Sequence, residues 1–259
     1  MKKQTISRFF PAIVCLLFLH TGYSQSIRIG LQGGVLIANI DHEPKQADDP
    51  QYKSLVRPQI SIPIEIGFGE IFAIQPEIMF GVQGTGLSEH GSATIFGITS
   101  ESNGTATRWA NFLEIPLLGK LKFGPENFKI HFLAGPSVGF GLKGKSNTEV
   151  TTRVTGSDGT VLSEGTVTEK LDAKFLKDGY DSSELDGNKE FAVARTNFNV
   201  HAGAGLNFNA GSVTCFLEGR YILGLSDLTP DQKDSPDAEK QTNKSRRIGI
   251  SAGLLFPLK

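Results

Sequence analysis

The sequence has little cysteine, little net charge and no long apolar run, and each shortage excludes a class of protein. Two of the 259 residues are cysteines, and Cys15 lies in an N-terminal apolar stretch. Cys215 alone can form neither an intramolecular disulfide nor a four-cysteine metal site. A net charge of −1 excludes a strongly basic nucleic-acid binder, and a mean hydropathy of −0.13 excludes a bundle of membrane helices. What is abundant is glycine and phenylalanine, with 30 and 18 residues, as in many β proteins.

The first 24 residues have the three parts of a secretory signal peptide. Lys2, Lys3 and Arg8 supply a positive N-terminal region, an apolar run covers Phe9–Leu19, and a small-x-small cleavage site ends at Ser24. A membrane anchor is the alternative, but the run is shorter than the roughly 18 residues that a spanning helix needs. We therefore predict a signal peptide over 1–24, cleavage between Ser24 and Gln25, and one mature domain over 25–259.

Alternation of apolar and polar residues with period two recurs along the rest of the chain. In the segment 109–123, for example, Ile115 and Leu117 fall on one face while Glu114 and Lys120 fall on the other. This pattern predicts β-strands. Eight segments show it: 27–39, 59–68, 72–86, 109–123, 128–142, 197–209, 212–225 and 247–258.

The polar face of these segments decides whether the apolar face points to a core or to lipid. It mixes glycines, such as Gly135 and Gly203, with isolated charges. That mixture suits a narrow lumen crossed by ion pairs better than a surface in water. The apolar face of the eight segments carries no charged residue, as expected where a midplane cation costs roughly 2–4 kcal/mol. Phenylalanines also cluster beside the short connections like an interfacial belt, namely Phe68, Phe72, Phe123, Phe128 and Phe208.

Short and long connections alternate strictly along the chain. The short ones are 69–71, 124–127 and 210–211, and the long ones are 40–58, 87–108, 143–196 and 226–246. The pattern predicts an all-β fold, an eight-stranded antiparallel up-and-down transmembrane β-barrel with short periplasmic turns, long extracellular loops and both termini in the periplasm. Because side chains just fill a barrel of this size, we do not expect a wide pore.

Several strand motifs resemble one family. Phe112-Leu-Glu114-Ile-Pro116, Phe132-Leu-Ala-Gly135-Pro136, Leu217-Glu218-Gly-Arg220-Tyr221 and Arg247-Ile-Gly249 occur in an order that is similar to the PorT-like outer-membrane β-barrel proteins of Bacteroidetes. The resemblance covers the strands and leaves out the long loops. It implies an outer-membrane barrel that contacts outer-membrane lipid and, during biogenesis, the barrel-assembly machinery. Many such barrels end on an aromatic residue, whereas this chain ends Phe256-Pro-Leu-Lys259.

Charged residues on the polar face are candidates for a network inside the barrel. A buried unpaired charge is costly, so we expect these side chains to form ion pairs whose first role is to fill the lumen. A gating role is the alternative, since charges inside membrane proteins are often functional. The predicted network comprises Glu65, Glu77, Glu114, Lys120, Glu218, Arg220 and Arg247, with Arg28, Lys122 and Lys129 on the same face.

Two inward histidines, His131 and His201, raise the alternative of a hydrolase at the membrane rim. Ser137 shares the face of His131, but six residues along one strand separate them by about 20 Å. A partner on another strand stays open. Because no motif specifies a base and a nucleophile together, we predict no catalytic residues, no metal and no cofactor.

The longest connection, 143–196, should hold structure of its own. Residues 149–155 and 160–166 alternate around a turn and predict a hairpin, and a short capped helix is predicted after Thr168. Four acidic residues follow, Asp178, Asp181, Glu184 and Asp186. Their spacing is not that of an EF-hand, so a solvated loop is favoured over a calcium site.

These observations predict a non-enzymatic outer-membrane barrel with a filled lumen. Its extracellular loops would bind an envelope or extracellular protein or ligand, and nothing in them points to nucleic acid. A narrow channel or a secretion- or transport-linked component is the alternative, and a rim-active lipid or peptide hydrolase is the second.

Overall fold

The computed structural model describes residues 25–43, 51–187, 189–233 and 242–258. Within them the chain forms eleven strands and one turn of 3-10 helix, Ser182–Glu184. The strands are β1 Gln25–Glu43, β2 Gln51–Lys53, β3 Leu55–Phe68, β4 Phe72–Ile95, β5 Ile98–Phe123, β6 Phe128–Thr155, β7 Val161–Leu176, β8 Glu190–Ala194, β9 Thr196–Ala210, β10 Val213–Gly224 and β11 Thr242–Pro257. Across these ranges, no helix is long and apolar enough to cross a membrane.

Eight of the strands close into an antiparallel barrel. Neighbours pair in the order β1, β3, β4, β5, β6, β9, β10 and β11, and β11 then pairs with β1 along its whole length, from Arg28 opposite Pro257 to Glu43 opposite Thr242. Each of the eight predicted segments lies within or largely overlaps one barrel strand, so the predicted eight-stranded antiparallel barrel is confirmed.

Side chains alternate between the outer wall and the interior as the period-two pattern requires. On β5, Ile115 is 44% exposed and Leu117 is 53% exposed, whereas Glu114, Leu118 and Lys120 are fully buried. The apolar rows therefore cover the outside of the barrel and the charged residues lie inside it.

The two ends of the barrel differ. At one end, here called the turn end, β3 and β4 are joined at Gly69, which has a φ of 73° that favours glycine. Phenylalanines that are exposed or half-buried lie there, with Phe68 and Phe72 ring centroids 5.9 Å apart and Phe128 and Phe208 centroids 5.1 Å apart. The opposite end, the loop end, carries the long connections.

Two of the predicted long connections at the loop end consist largely of strand, because their residues extend the barrel strands. Residues 87–108 belong to a single hairpin in which β4 and β5 pair as far as Ile95 and Ile98. Within 143–196, β6 continues to Thr155 and pairs with β7, so the predicted hairpin is confirmed. Above the barrel, β4, β5, β6 and β7 form one sheet, called here the extended sheet.

The predicted capped helix after Thr168 is wrong. Residues 168–176 belong to β7, with Glu169 opposite Thr148 and Asp172 opposite Lys145. A helix here would leave the backbone of β6 without this ladder, so strand pairing outweighs the local helical preference.

Strand β8 returns across the barrel mouth. It pairs in parallel with β7, and the Ala194 amide donates to the carbonyl of Leu228 at 2.7 Å. The Leu228 amide in turn donates to the carbonyl of Asn243 at 2.9 Å, which ties this segment to β11. Val193 and Leu228 pack with Phe112 in a small apolar cluster at the mouth. Of the fourth predicted loop, 242–246 are part of β11, and 234–241 lie outside the described residues.

Candidate functional site

The interior of the barrel contains ion pairs at three levels, and the level nearest the turn end is centred on Glu65. Its carboxylate lies 3.0 Å from Nζ of Lys120, 2.7 Å from Nζ of Lys122 and 3.8 Å from Nη1 of Arg28. Glu65 comes from β3 and both lysines from β5, so the pairs cross the lumen. Lys120 also donates to Oε1 of Gln75 at 2.9 Å.

The middle level is centred on Arg220 of β10. Its Nη1 and Nη2 donate to the two carboxylate oxygens of Glu77, at 2.8 and 2.5 Å, and its Nε donates to Glu218. Nε2 of His131 lies 3.0 Å from the other oxygen of Glu218. Arg220 is thus held between two acids, a geometry in which hydrogen bonds compensate for lost hydration.

The third level, nearest the loop end, pairs Arg247 of β11 with Glu114 of β5. Both Nη atoms of Arg247 donate to this carboxylate, one of them at 3.2 Å. Asn199 donates to Glu114 at 3.4 Å, and Nε2 of His201 lies 3.7 Å from it. The arginine and the glutamate are both fully buried.

The structure places all seven predicted network residues inside the barrel and brings them together in these three groups. With Lys122 the set holds four acids and four bases, so its formal charge cancels. Their side chains are nearly all inaccessible, with Lys120, Glu114 and Arg247 at 0%. These levels fill the lumen between a polar vestibule of about 700 Å³ at the turn end and a cavity of about 340 Å³ at the loop end. Such packing favours a plug over a water-filled path.

His201 does have a partner on a neighbouring strand. Its Nε2 lies 2.9 Å from Oγ of Ser137, but the carboxylate of Glu114 approaches the same nitrogen, and Nδ1 finds no partner among the described residues. In a Ser-His-acid relay the serine and the acid contact opposite nitrogens. His201 is also 0% exposed. This geometry is suited to holding the ring in place and does not suit proton relay to a substrate.

The acidic residues after β7 bind backbone amides. Asp181 accepts from the Ser183 amide at 2.9 Å and caps the short 3-10 helix, while the Asp181 amide donates to Glu184 at 3.1 Å. The amide contact lowers the pKa of Asp181. Asp178 accepts from the Asp231 amide at 3.2 Å. In the part of the chain that the structure describes, no three His, Cys, Asp or Glu residues converge as metal ligands would.

The extended sheet is the largest feature at the loop end. At about 3.3 Å per residue, residues 98–108 of β5 span roughly 35 Å. At its far end Ile95 is 65% exposed and Phe96 fully exposed. Residues 161–171 of β7 pair with β6 on one side, and within the described ranges no strand covers their other side, since β8 joins only from Asp172 onward.

The sequence reasoning missed the contribution of β8. Phe191 and Val193 come from the apolar run 191–194 inside a polar connection, and they line the loop-end cavity with Phe112 and Leu228. That short apolar run was the available signal, because an apolar segment in a loop usually packs against something.

The match to one family model supports the fold. Residues 23–230 match the family model of the outer membrane protein beta-barrel domain. Among solved structures, the attachment invasion locus protein Ail of Yersinia pestis is similar at 10% identity over 90% of this chain and 99% of its own, with a TM-score of 0.32. Neisserial surface protein A is similar at 10% identity over 89% and 97%, with a TM-score of 0.37. No significant match was found among curated proteins.

Proposed function

The chain belongs to the outer membrane protein beta-barrel domain family, and we propose that it is a non-enzymatic interaction protein of the outer membrane. Its lumen does not conduct, and its extended sheet binds a partner outside the cell. The observation that carries the proposal is the combination of a filled lumen with a long sheet whose β7 edge is unpaired among the described residues.

The orientation follows from the two ends. Short turns face the periplasm and long extensions face outward in outer-membrane barrels. The first and last described residues lie at the turn end, where Gln25 is opposite Phe68 and Arg28 is opposite Pro257. We therefore propose that both termini lie in the periplasm and that the extended sheet lies outside the cell. The PorT-like resemblance stays a prediction within this family.

The edge of β7 suits strand addition. An open edge offers a row of backbone donors and acceptors to an extended peptide, and side chains on alternate positions supply specificity. Val167, in the middle of this edge, is 71% exposed. We therefore assign an extended segment of an envelope or extracellular protein as the partner class.

A trimmed variant tests the proposal. Glu89 is opposite Gly104 and Glu149 is opposite Thr168, so Asn-Gly turns can replace 90–103 and 150–167 and leave the barrel intact. A photo-crosslinking amino acid at Val167 of the full chain should give a discrete protein adduct on intact cells. The same crosslinking amino acid at lipid-facing Ile115 is the matched control. It should give no discrete protein adduct in the full chain or in the trimmed chain.

The proposed binding role is wrong if the crosslinker at Val167 gives no adduct and if cells that carry the trimmed chain show the same surface binding as cells that carry the full chain. Single-channel recording of the refolded barrel tests the closed lumen separately. Steady current through the full chain would favour the alternative of a narrow channel or transport-linked component.

A further inference from the structure

The cavity at the loop end has the size of a small-molecule site. Its volume is about 340 Å³, at the lower end of the roughly 300–1,000 Å³ that such sites occupy. It lies between the barrel wall, formed by β4 and β5, and the segment β8 that crosses the mouth. Because the cavity is separate from the β7 edge, ligand binding in it is independent of the proposed function.

The walls of the cavity are mainly apolar and aromatic. Phe112 and Trp109 come from β5, Val193 from β8 and Leu228 from the connection after β10. Among the described residues that line the cavity, Arg108 is the one with a charge. A wall of this kind favours a ligand with an apolar, ring-sized body.

Two polar side chains in the cavity wall have atoms without a hydrogen-bond partner among the described residues. Gln83 is 2% exposed, and neither its amide nitrogen nor its amide oxygen has a hydrogen-bond partner among the described residues. Oδ1 of Asn243, which also lines the cavity, is without one as well. Buried polar groups are nearly always hydrogen-bonded. An unpaired primary amide beside a cavity is a group that a ligand can satisfy with one donor and one acceptor.

We propose that this cavity binds a small apolar molecule that carries a carboxamide or an equivalent adjacent donor and acceptor. The apolar body lies against Phe112, Val193 and Leu228, and the polar group pairs with the amide of Gln83. The cavity opens at the loop end, so the ligand enters from the same side as the extended sheet.

The protein contains its own reporter for this binding. Trp109 is the one tryptophan of the sequence and lines the cavity. The full chain in lipid nanodiscs can be titrated with 4-nitrobenzamide, a ring-sized amide that quenches tryptophan fluorescence, and in parallel with 4-nitrotoluene, which lacks the amide. Saturable quenching by the amide probe, at lower concentration than for 4-nitrotoluene, is expected.

Two kinds of variant separate specific binding from other causes of quenching. Gln83→Leu should weaken binding of the amide probe at least tenfold and leave 4-nitrotoluene unchanged, because a site built for hydrogen bonding loses its selectivity with the polar group. Val193→Phe should abolish binding of both probes because the larger side chain fills the cavity. If this variant does not fold, Leu228→Phe serves the same purpose. The trimmed chain retains these residues and should bind as the parent does.

Two outcomes overturn the proposal. Quenching that rises linearly and equally in all variants would mean that the probes only partition into lipid. Saturable binding that Gln83→Leu leaves unchanged would mean that the amide takes no part in recognition.

Discussion

Removal of one partner of the Arg247–Glu114 pair should destabilise the barrel more than removal of both. The two side chains are fully buried, and both Nη atoms of Arg247 donate to Glu114. Replacement of either residue by methionine leaves a charge inside the lumen without its counter-charge. A buried pair broken in this way typically costs about 3–5 kcal/mol, whereas replacement of the whole pair by apolar groups is often close to neutral.

The two single variants should also differ from each other. In Glu114→Met the guanidinium loses the partner of both Nη atoms, and its Nε already has none among the described residues. In Arg247→Met the carboxylate keeps Asn199 at 3.4 Å and His201 at 3.7 Å. We therefore expect Glu114→Met to cost about 5 kcal/mol and Arg247→Met about 3 kcal/mol. The double variant should lose less stability than either single variant.

Urea unfolding of the chain in lipid vesicles, followed by Trp109 fluorescence, measures these free energies. A gel-mobility shift of the folded barrel provides an independent check that each variant starts from the folded state. If the double variant costs the sum of the two single variants, the residues act independently and the ion-pair reasoning is wrong.

Three further predictions use other parts of the molecule. Ile115→Lys on the outer wall should cost about 2–4 kcal/mol in the same urea assay and Ile115→Phe little; normal stability of the lysine variant would refute the facing of β5. Gly135→Ala should cost about 1–3 kcal/mol, because the added Cβ would overlap the carbonyl oxygen of Leu117. Gly33→Ala is the control and should leave stability unchanged, because the space around its Cβ is open. Equal losses of stability in the two variants would contradict the packing. The hydrogen bond from the Ser183 amide lowers the pKa of Asp181 below the ordinary 3.8. The cap therefore stabilises the 182–184 turn fully above pH 3.8, and this stabilisation is lost as the pH falls through the lowered pKa. Amide exchange in the 182–184 turn should then rise with acid in the parent relative to Asp181→Asn, and parallel profiles would argue against the cap.

The position and facing of the barrel strands could be predicted because lipid and lumen select opposite residue types at alternate positions. Leu117 and Leu118 show how strong this constraint is. The two are the same residue type, yet the parity of the strand places Leu117 on the outer wall at 53% exposure and Leu118 inside at 0%.

The partners within the lumen could not be predicted in the same way. Parity assigns a residue to a face, but the height at which two strands present their charges depends on the stagger of the closed barrel. Glu65 meets Lys120 and Lys122 across the lumen near the turn end, while Glu77 meets Arg220 at the middle level.

The loop end was predicted least well, since neither lipid nor a narrow lumen constrains it. Residues 87–108 lack the segregated faces of the barrel strands, yet β4 and β5 continue through them because each supplies the other with a complete ladder. The segment after Thr168 has helical local preference and forms a strand for the same reason.

The glycines of β6 and β9 explain why the charges fit inside so narrow a barrel. A Cβ at Gly139 would lie 3.2 Å from Cγ of Glu114, and one at Gly203 would lie 3.0 Å from Cγ of Arg220. These strands therefore leave room for the long side chains that reach in from β5 and β10. An eight-stranded barrel has just enough interior volume for side chains, so each added long side chain requires a small residue beside it. The packing of the charged side chains therefore depends on these glycines. A larger residue at either glycine must displace the charged side chain beside it.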